Sequence, residues 1–312
     1  MSLIIKMAFF ENGIKTTVMS TELLVEANVS KKILFECLDL AKAFESKYSA
    51  YKSSSLLSSI NMAAGDYAIE CEKEDLEVFE KALEIAKLSD GLFDPTIGAL
   101  TQGLYGFGTY REKIPSKAEL AYTKAFVDYK LVKISEHEIY LPKRGMKFDL
   151  GGIGKGFVAD KIIAYLQKKG ATKGLVSVGG EICSFGREHT VAIKNPFGEG
   201  NIAIINTNKE LISLSTSGDY ERFIESKENH HILDNKSAIQ NHYYSSVTII
   251  KNGLECTTLD GVATVVFNSK PKDLGALAKK FEIAIISISP QKEICFENFS
   301  DLEIKNIEIV PF

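Results

Sequence analysis

The stretch "KFDLGGIGKGFVADKI", residues 147–162, decides how this 312-residue chain is to be read. It holds four glycines in six positions, 151–156, with Asp149 before them, Lys155 inside them and an apolar helical pattern after them. Consecutive glycines let backbone N–H groups approach an anion closely, and the positive end of the following helix favours negative charge. Lys155 adds a compact point charge suited to phosphate. Two familiar nucleotide signatures nevertheless fail here. "GGIGKG" lacks the GxxxxGK[ST] spacing, because Gly156 follows the lysine. The dinucleotide fingerprint needs a strand–turn–helix unit with an acidic residue about 20 positions on, and a loose GxGxxG match does not supply that. A tight turn between strand and helix is the plain alternative, and Asp149 argues against it. A carboxylate beside a phosphate-binding turn is awkward unless it binds a sugar hydroxyl, a base N–H or a metal.

Outward from this turn, the pattern points to an α+β fold. Residues 156–169 predict an amphipathic helix closed by Gly170 at C′. Upstream, residues 31–48 place Ile33, Cys37, Leu40, Ala41 and Phe44 on one helical face, with Ser30 as N-cap. A second helix buries Leu76, Phe79, Leu83 and Ala86 and stops near Gly91. The segment to about residue 29 reads as paired strands, and "TQGLYGFGTYREKIP" as an irregular loop. From residue 174 on the chain is mostly strand-like: "GLVSV", "TVAIK", "NIAIIN", "LISLS", "SVTIIK", "ATVVF", "AIISI" and "LEIKNIEIV", interrupted by a helix in "KDLGALAKKF". Helices and strands do not alternate regularly, so antiparallel sheets flanked by helices are expected rather than a doubly wound sheet. No repeat, low-complexity segment or linker interrupts the chain. One unit over residues 1–312 is expected, with two intimately packed α/β subdomains as the variant arrangement.

Composition removes several functions. Hydrophobic residues make up 45% and charged residues 25%, and the formal net charge is −4. With no basic block, nucleic acid is a poor partner. The cysteines Cys37, Cys71, Cys183, Cys256 and Cys295 have neither zinc-site nor disulfide-framework spacing. No run reaches the ~20 apolar residues of a membrane span, and no basic-then-apolar leader opens the chain.

Seven segments, taken in order, resemble the ApbE family, the FAD:protein FMN transferases. They are "YSAYKSSSLLSSIN", "DGLFDPTIGAL", "KFDLGGIGKGFVADKI", "GLVSVGGEI", "STSGDYERF", "HHILD" and "TTLDGVATVVF". With a looser match at "MST", they spread over residues 19–267. The resemblance implies a T-fold-like architecture and a Mg²⁺-dependent enzyme. Such an enzyme binds FAD, releases AMP and esterifies FMN to a Thr or Ser hydroxyl of a target protein, typically a redox-complex subunit outside the cytoplasm. Export is therefore expected, although no leader is visible.

The resemblance also assigns residues. Met19 contacts FAD, Tyr51 lies against a ring system of the ligand, and Leu92, Phe93 and Asp94 hold the dinucleotide. Pro95 keeps Asp94 out of helical geometry. Asp149 recognises the nucleotide, Lys155 contacts FAD, and Leu233 belongs to the flavin-side segment with His231. Asn235 stands where a proline is usual, so that turn is expected to differ. The metal falls to Asp260, Thr264 and the backbone carbonyl of Gly152. "LDGVAT" is expected to be a turn before the strand "ATVVF", with Asp260 and Thr264 four apart. Hard oxygen donors suit Mg²⁺. Ala263 replaces a second Asp found in some relatives, which leaves the coordination sphere lean.

The implied reaction is attack by a hydroxyl on the FMN-side phosphorus of FAD, with AMP leaving. Asp260 or His231 is the candidate base. Phosphoryl transfer needs positioning and charge stabilisation, so no nucleophile of the enzyme is required. Two alternatives stand beside it: an FAD pyrophosphatase giving FMN and AMP, and a non-catalytic FAD-binding protein.

Overall fold

Most of the strands read from the alternating segments assemble into one open antiparallel sheet. The computed structural model describes residues 8–10, 13–208, 210–300, 302 and 304–310; the remainder of the predicted N-terminal strand region, 1–7 and 11–12, lies outside the described residues. Among the described residues the strands are β1 (Ala8–Phe10), β2 (Gly13–Val18), β3 (Thr21–Ala27), β4 (Ile69–Glu70), β5 (Lys133–Ile134), β6 (Glu138–Tyr140), β7 (Gly174–Val178) and β8 (Glu181–Phe185). They continue as β9 (Thr190–Lys194), β10 (Asn201–Thr207), β11 (Ile212–Gly218), β12 (Ser246–Asn252), β13 (Ala284–Ile288), β14 (Ile294–Glu297) and β15 (Ile304–Ile309). The large sheet has the order β1-β2-β3-β7-β8-β11-β12-β13-β14, every pairing antiparallel. A small sheet, β15-β10-β9, and a minor one, β4-β6-β5, complete the set.

The helices are α1 (Lys31–Tyr48), α2 (Leu56–Met62), α3 (Lys73–Leu88), a short turn α4 (Gly98–Leu100), α5 (Lys117–Lys124), α6 (Gly154–Lys168), α7 (Cys256–Phe267) and α8 (Leu274–Phe281). Among the described residues no helix is long and apolar enough to cross a membrane. Strand alternation puts the two faces of the large sheet against different layers. Val247, Ile249 and Ile285 pack toward the helices with Phe79, Phe148 and Phe267. Their neighbours Ile250, Ala284 and Ile286 pack against Val191, Ile193 and Ile205 of the small sheet. On the N-terminal half of the large sheet, α1 and α6 cover β2, β3, β7 and β8.

Several expectations need correction. On α1 the buried residues are Leu34, Cys37, Leu38 and Ala41, while Leu40 is exposed. Both faces satisfy helical periodicity, and the one carrying Leu34 and Leu38 meets the sheet. On α3, Leu83 is only half-buried and Val78, Ala82 and Ile85 join the core instead. The loop predicted from residue 101 begins with a π-helical turn, Thr101–Tyr105, ended by Gly106 in the left-handed region. "ATVVF" is not a strand: it is the second half of α7. Its β-branched residues read as strand, but ten of the helix's twelve residues are buried between α3, α6 and the large sheet. Apolar burial on every side removes the amphipathic period that marks a surface helix. Gly170, by contrast, sits at C′ of α6 with φ +86°, where the sequence places it.

Candidate active site

The glycine stretch builds one wall of a cavity of about 840 Å³. Lys147 bridges to Ile97, Asn61 clamps Phe148, and the chain then turns into α6. The Asn61 amide donates to the Phe148 carbonyl at 3.0 Å and accepts from its N–H at 2.7 Å. That leaves Asp149 half-buried at the cavity wall. Its Oδ1 accepts from Gly151 N–H at 2.8 Å and its Oδ2 from the Thr101 hydroxyl at 2.5 Å. The π-helical turn thus brings Thr101 onto Asp149. π-turns are frequent at functional sites.

Helices α6 and α7 meet at Gly156. A Cβ there would lie 2.1 Å from the Cys256 carbonyl oxygen and 2.9 Å from Asp260 Cβ, so only glycine permits the approach. Gly156 N–H donates to Asp260 Oδ2 at 3.0 Å. The first turn of α6 therefore directs the Gly156 N–H, which has no partner within the helix, at a carboxylate of this chain. Lys155 Nζ lies 3.1 Å from Asp260 Oδ1 and 2.8 Å from Glu181 Oε1. Asp260 and Glu181 are buried. Burial opposes the charge on Lys155, but the two carboxylates outweigh it and its pKa is raised. Burial, with the Asp260 charge beside it, pushes Glu181 up to about 8. With Glu181 protonated, one ammonium faces one carboxylate, and the buried cluster is close to neutral.

Thr264 stands one helical turn after Asp260 and lines the same cavity. Gly152 lies over this turn: a Cβ on it would sit 3.4 Å from Thr264 Oγ1, and its carbonyl lies over Gly261. A carboxylate, a hydroxyl and a backbone carbonyl thus share one wall. All are hard oxygens, which fits a Mg²⁺-type ion better than a soft metal. Among the described residues no cluster of three His, Cys, Asp or Glu side chains offers a metal site.

His231 and Tyr51 border the same cavity. His231 Nδ1 is 3.1 Å from the Arg222 carbonyl, which can only accept, so Nδ1 carries the proton and Nε2 is free. Burial, reinforced by the Arg222 charge, lowers the His231 pKa to about 3. Tyr51 is 54% exposed; its hydroxyl donates to the Phe107 carbonyl at 3.1 Å and accepts from Arg222 Nη1 at 3.0 Å. It therefore ties the 106–112 loop to Arg222 at the cavity mouth.

Met19 and Ser20 form the two-residue turn between β2 and β3, with φ of +51° and +61°. Such turns normally carry Asn-Gly, so a Met held there, on the cavity, is strained by roughly 1–3 kcal/mol. Phe93, Asp94 and Leu233 also border the cavity. The Asp94 carboxylate is occupied locally, accepting from Thr96 N–H, the Thr96 hydroxyl and Tyr129 N–H. It holds the loop more than it offers a free acceptor. Burial raises its pKa against those hydrogen bonds. Leu92 is not among the cavity-lining residues. Its side chain packs on the core, and its carbonyl accepts from Asn235, which also bonds Gly91. Asn235 thus staples "HHILD" to "DGLFDP" where a proline could not.

The family model described as the ApbE family matches residues 15–287. The chain belongs to the ApbE family. This ApbE-family chain is 29% identical over 263 residues to the FAD:protein FMN transferase of Klebsiella pneumoniae (strain 342), covering 82% of this chain and 81% of that protein. It is also 29% identical over 285 residues to the FAD:protein FMN transferase of Treponema pallidum (strain Nichols), covering 84% and 78%. Among solved structures, the ApbE protein of Thermotoga maritima superposes with a TM-score of 0.84 at 26% identity, over 96% of this chain and 100% of that one. The flavin transferase ApbE of Vibrio cholerae gives 0.79 at 23% identity, over 94% and 96%, and shares the fold.

Five residues at or behind this ApbE-family site carry no sequence assignment: Asn61, Thr101, Asp160, Glu181 and Arg222. Asp160, on α6, accepts from Cys256 N–H at 2.9 Å, Thr257 N–H at 2.8 Å and the Thr257 hydroxyl at 2.5 Å, capping α7 from outside. Asp160 lies inside the matched segment 147–162, next to Lys161, with no local feature that marks it as a cap. Asn61, Glu181 and Arg222 lie inside the matched segments, but their partners are distant in the chain.

Proposed function

We propose that this chain transfers the FMN half of FAD to a Ser or Thr hydroxyl of a target protein and releases AMP. The observation carrying this reading is one shared cavity, bordered by residues from Met19 to Thr264. It brings together a hard-oxygen wall, a lysine and a neutral histidine with a free Nε2. The names of the relatives agree with it. The breadth of the lining also supports one working unit rather than separable parts.

Asp260, Thr264 and the Gly152 carbonyl would hold Mg²⁺, which neutralises charge on pyrophosphate oxygens when bound. Around it, this chain's residues orient the reactants. Lys155, its ammonium shared between Asp260 and Glu181, presents positive charge to the pyrophosphate side. Asp149, steadied by Thr101 and Gly151, accepts from nucleotide hydroxyl or N–H groups. His231 Nε2 takes the proton of the acceptor hydroxyl as its oxygen bonds to the FMN phosphorus. The phosphorus–oxygen bond to AMP breaks, and AMP leaves with the electron pair. Incubation with FAD, Mg²⁺ and a purified redox-complex subunit tests this by in-gel flavin fluorescence and AMP release. A fluorescent band lost in Asp260→Asn supports transfer; AMP and FMN without a band favour hydrolysis, and unchanged FAD refutes both.

A further inference from the structure

We infer that the free edge of β9 is the docking rail for the acceptor polypeptide, which binds as an extended strand added to the small sheet. The inference rests on the transferase reading, because that reaction brings a second protein chain into the cavity. β9 is the last strand of its sheet, pairing β10 on one side and no strand on the other among the described residues. Four consecutive residues, Val191, Ala192, Ile193 and Lys194, border the catalytic cavity. Side chains of a strand alternate between faces, so four in succession can border one cavity only where it wraps the strand's edge.

The ladder shows which main-chain groups face that edge. Thr207 N–H donates to the His189 carbonyl at 2.9 Å, and Asn195 N–H donates to the Gly200 carbonyl at 3.0 Å. Odd-numbered residues of β9 therefore turn their peptide groups into the sheet, and Ala192 and Lys194 turn theirs outward. An unpaired edge bonds any extended main chain whatever its sequence, while neighbouring pockets select side chains. The rail leads to the reacting groups. Lys194 Nζ is 3.8 Å from Glu221, whose chain neighbour Arg222 holds His231 through its carbonyl. A strand along β9 thus carries its Ser or Thr from the mouth toward His231 Nε2.

Ala192→Pro tests this selectively. Proline at 192 removes an outward N–H and leaves the β9–β10 ladder intact, as edge positions tolerate. The probe is a pool of short unstructured peptides randomised around one central Thr or Ser, incubated with FAD and Mg²⁺ and scored by flavin fluorescence. The expected result is that Ala192→Pro lowers peptide labelling about five- to tenfold through KM, the loss of one main-chain hydrogen bond. AMP release into water and Tm stay at wild-type values, and Ala192→Val, which keeps the N–H, labels normally. Equal labelling by Ala192→Pro overturns the rail and leaves the transferase reading standing. Parallel loss of AMP release also overturns it, because the edge then serves the nucleotide. If wild type labels a folded subunit but no peptide, the acceptor is not taken as an extended segment. If wild type neither labels nor releases AMP, the transferase reading itself falls.

Discussion

Replacing Gly156 by Ala separates two explanations for the glycine turn. If the glycine exists so that an anion can approach the backbone, the variant loses FAD affinity and the ligand-free protein is unaffected. The structure says otherwise. The added Cβ would lie 2.1 Å from the Cys256 carbonyl oxygen, 2.6 Å from its carbon and 2.9 Å from Asp260 Cβ. All three atoms belong to α7, ten of whose twelve residues are buried, so no flexible side chain can yield. Restoring ordinary contact requires α6 and α7 to part by about 1 Å, in a core where overpacking typically costs 1–3 kcal/mol. With backbone on the receiving side, the cost falls at the upper end, about 3 kcal/mol. For a chain of this length that corresponds to a Tm lowered by roughly 4–6 °C. Thermal unfolding of the ligand-free variant, followed by circular dichroism beside a flavin-binding titration, is the assay. An unchanged Tm with weakened flavin binding would refute the reasoning and return the glycine to a ligand-facing role.

Three further outcomes follow from the same contacts. Asp160→Ala should destabilise by about 2–3 kcal/mol in urea unfolding, since α7 loses its external cap, while Asp160→Asn retains part of it. Lys155→Met leaves Glu181 and Asp260 facing each other without their cation and should cost about 3 kcal/mol; adding Glu181→Gln should recover much of that in a double-mutant cycle. Stability should fall on acidification. His230 is fully buried and held neutral, its pKa lowered to about 4 mainly by burial. The unfolded chain binds a proton near pH 6.5 and the folded one does not, so stability is complete above about pH 6.5 and declines toward pH 4. His230→Gln should flatten that slope; an unaltered difference between unfolding midpoints at neutral and mildly acidic pH would count against it.

How much was legible before folding depended on the range of the interactions. Strand alternation in "TVAIK" and "SVTIIK", and the left-handed Gly170 after α6, are local consequences of side-chain period and backbone freedom. They hold wherever the segment packs. Segment 256–267 failed for a complementary reason. Its Val and Thr residues favour strand locally, yet a site enclosed on all sides accepts an apolar helix without an amphipathic pattern. Leu40 shows the same limit, since two faces of α1 had equal period and only the sheet chose between them.

The sequence by itself determined that residues 147–162 form a glycine turn running into a helix, with a carboxylate and a lysine flanking it, because spacing and residue chemistry suffice for that. The tertiary structure decided what those groups face. Gly156 and Lys155 meet Asp260 across 104 and 105 residues of chain, and Asp160 caps the helix that carries Asp260. His231 receives its tautomer from the Arg222 carbonyl. These are pairings between groups with no local signature, set by which surfaces bury together, and burial is a property of the folded chain alone.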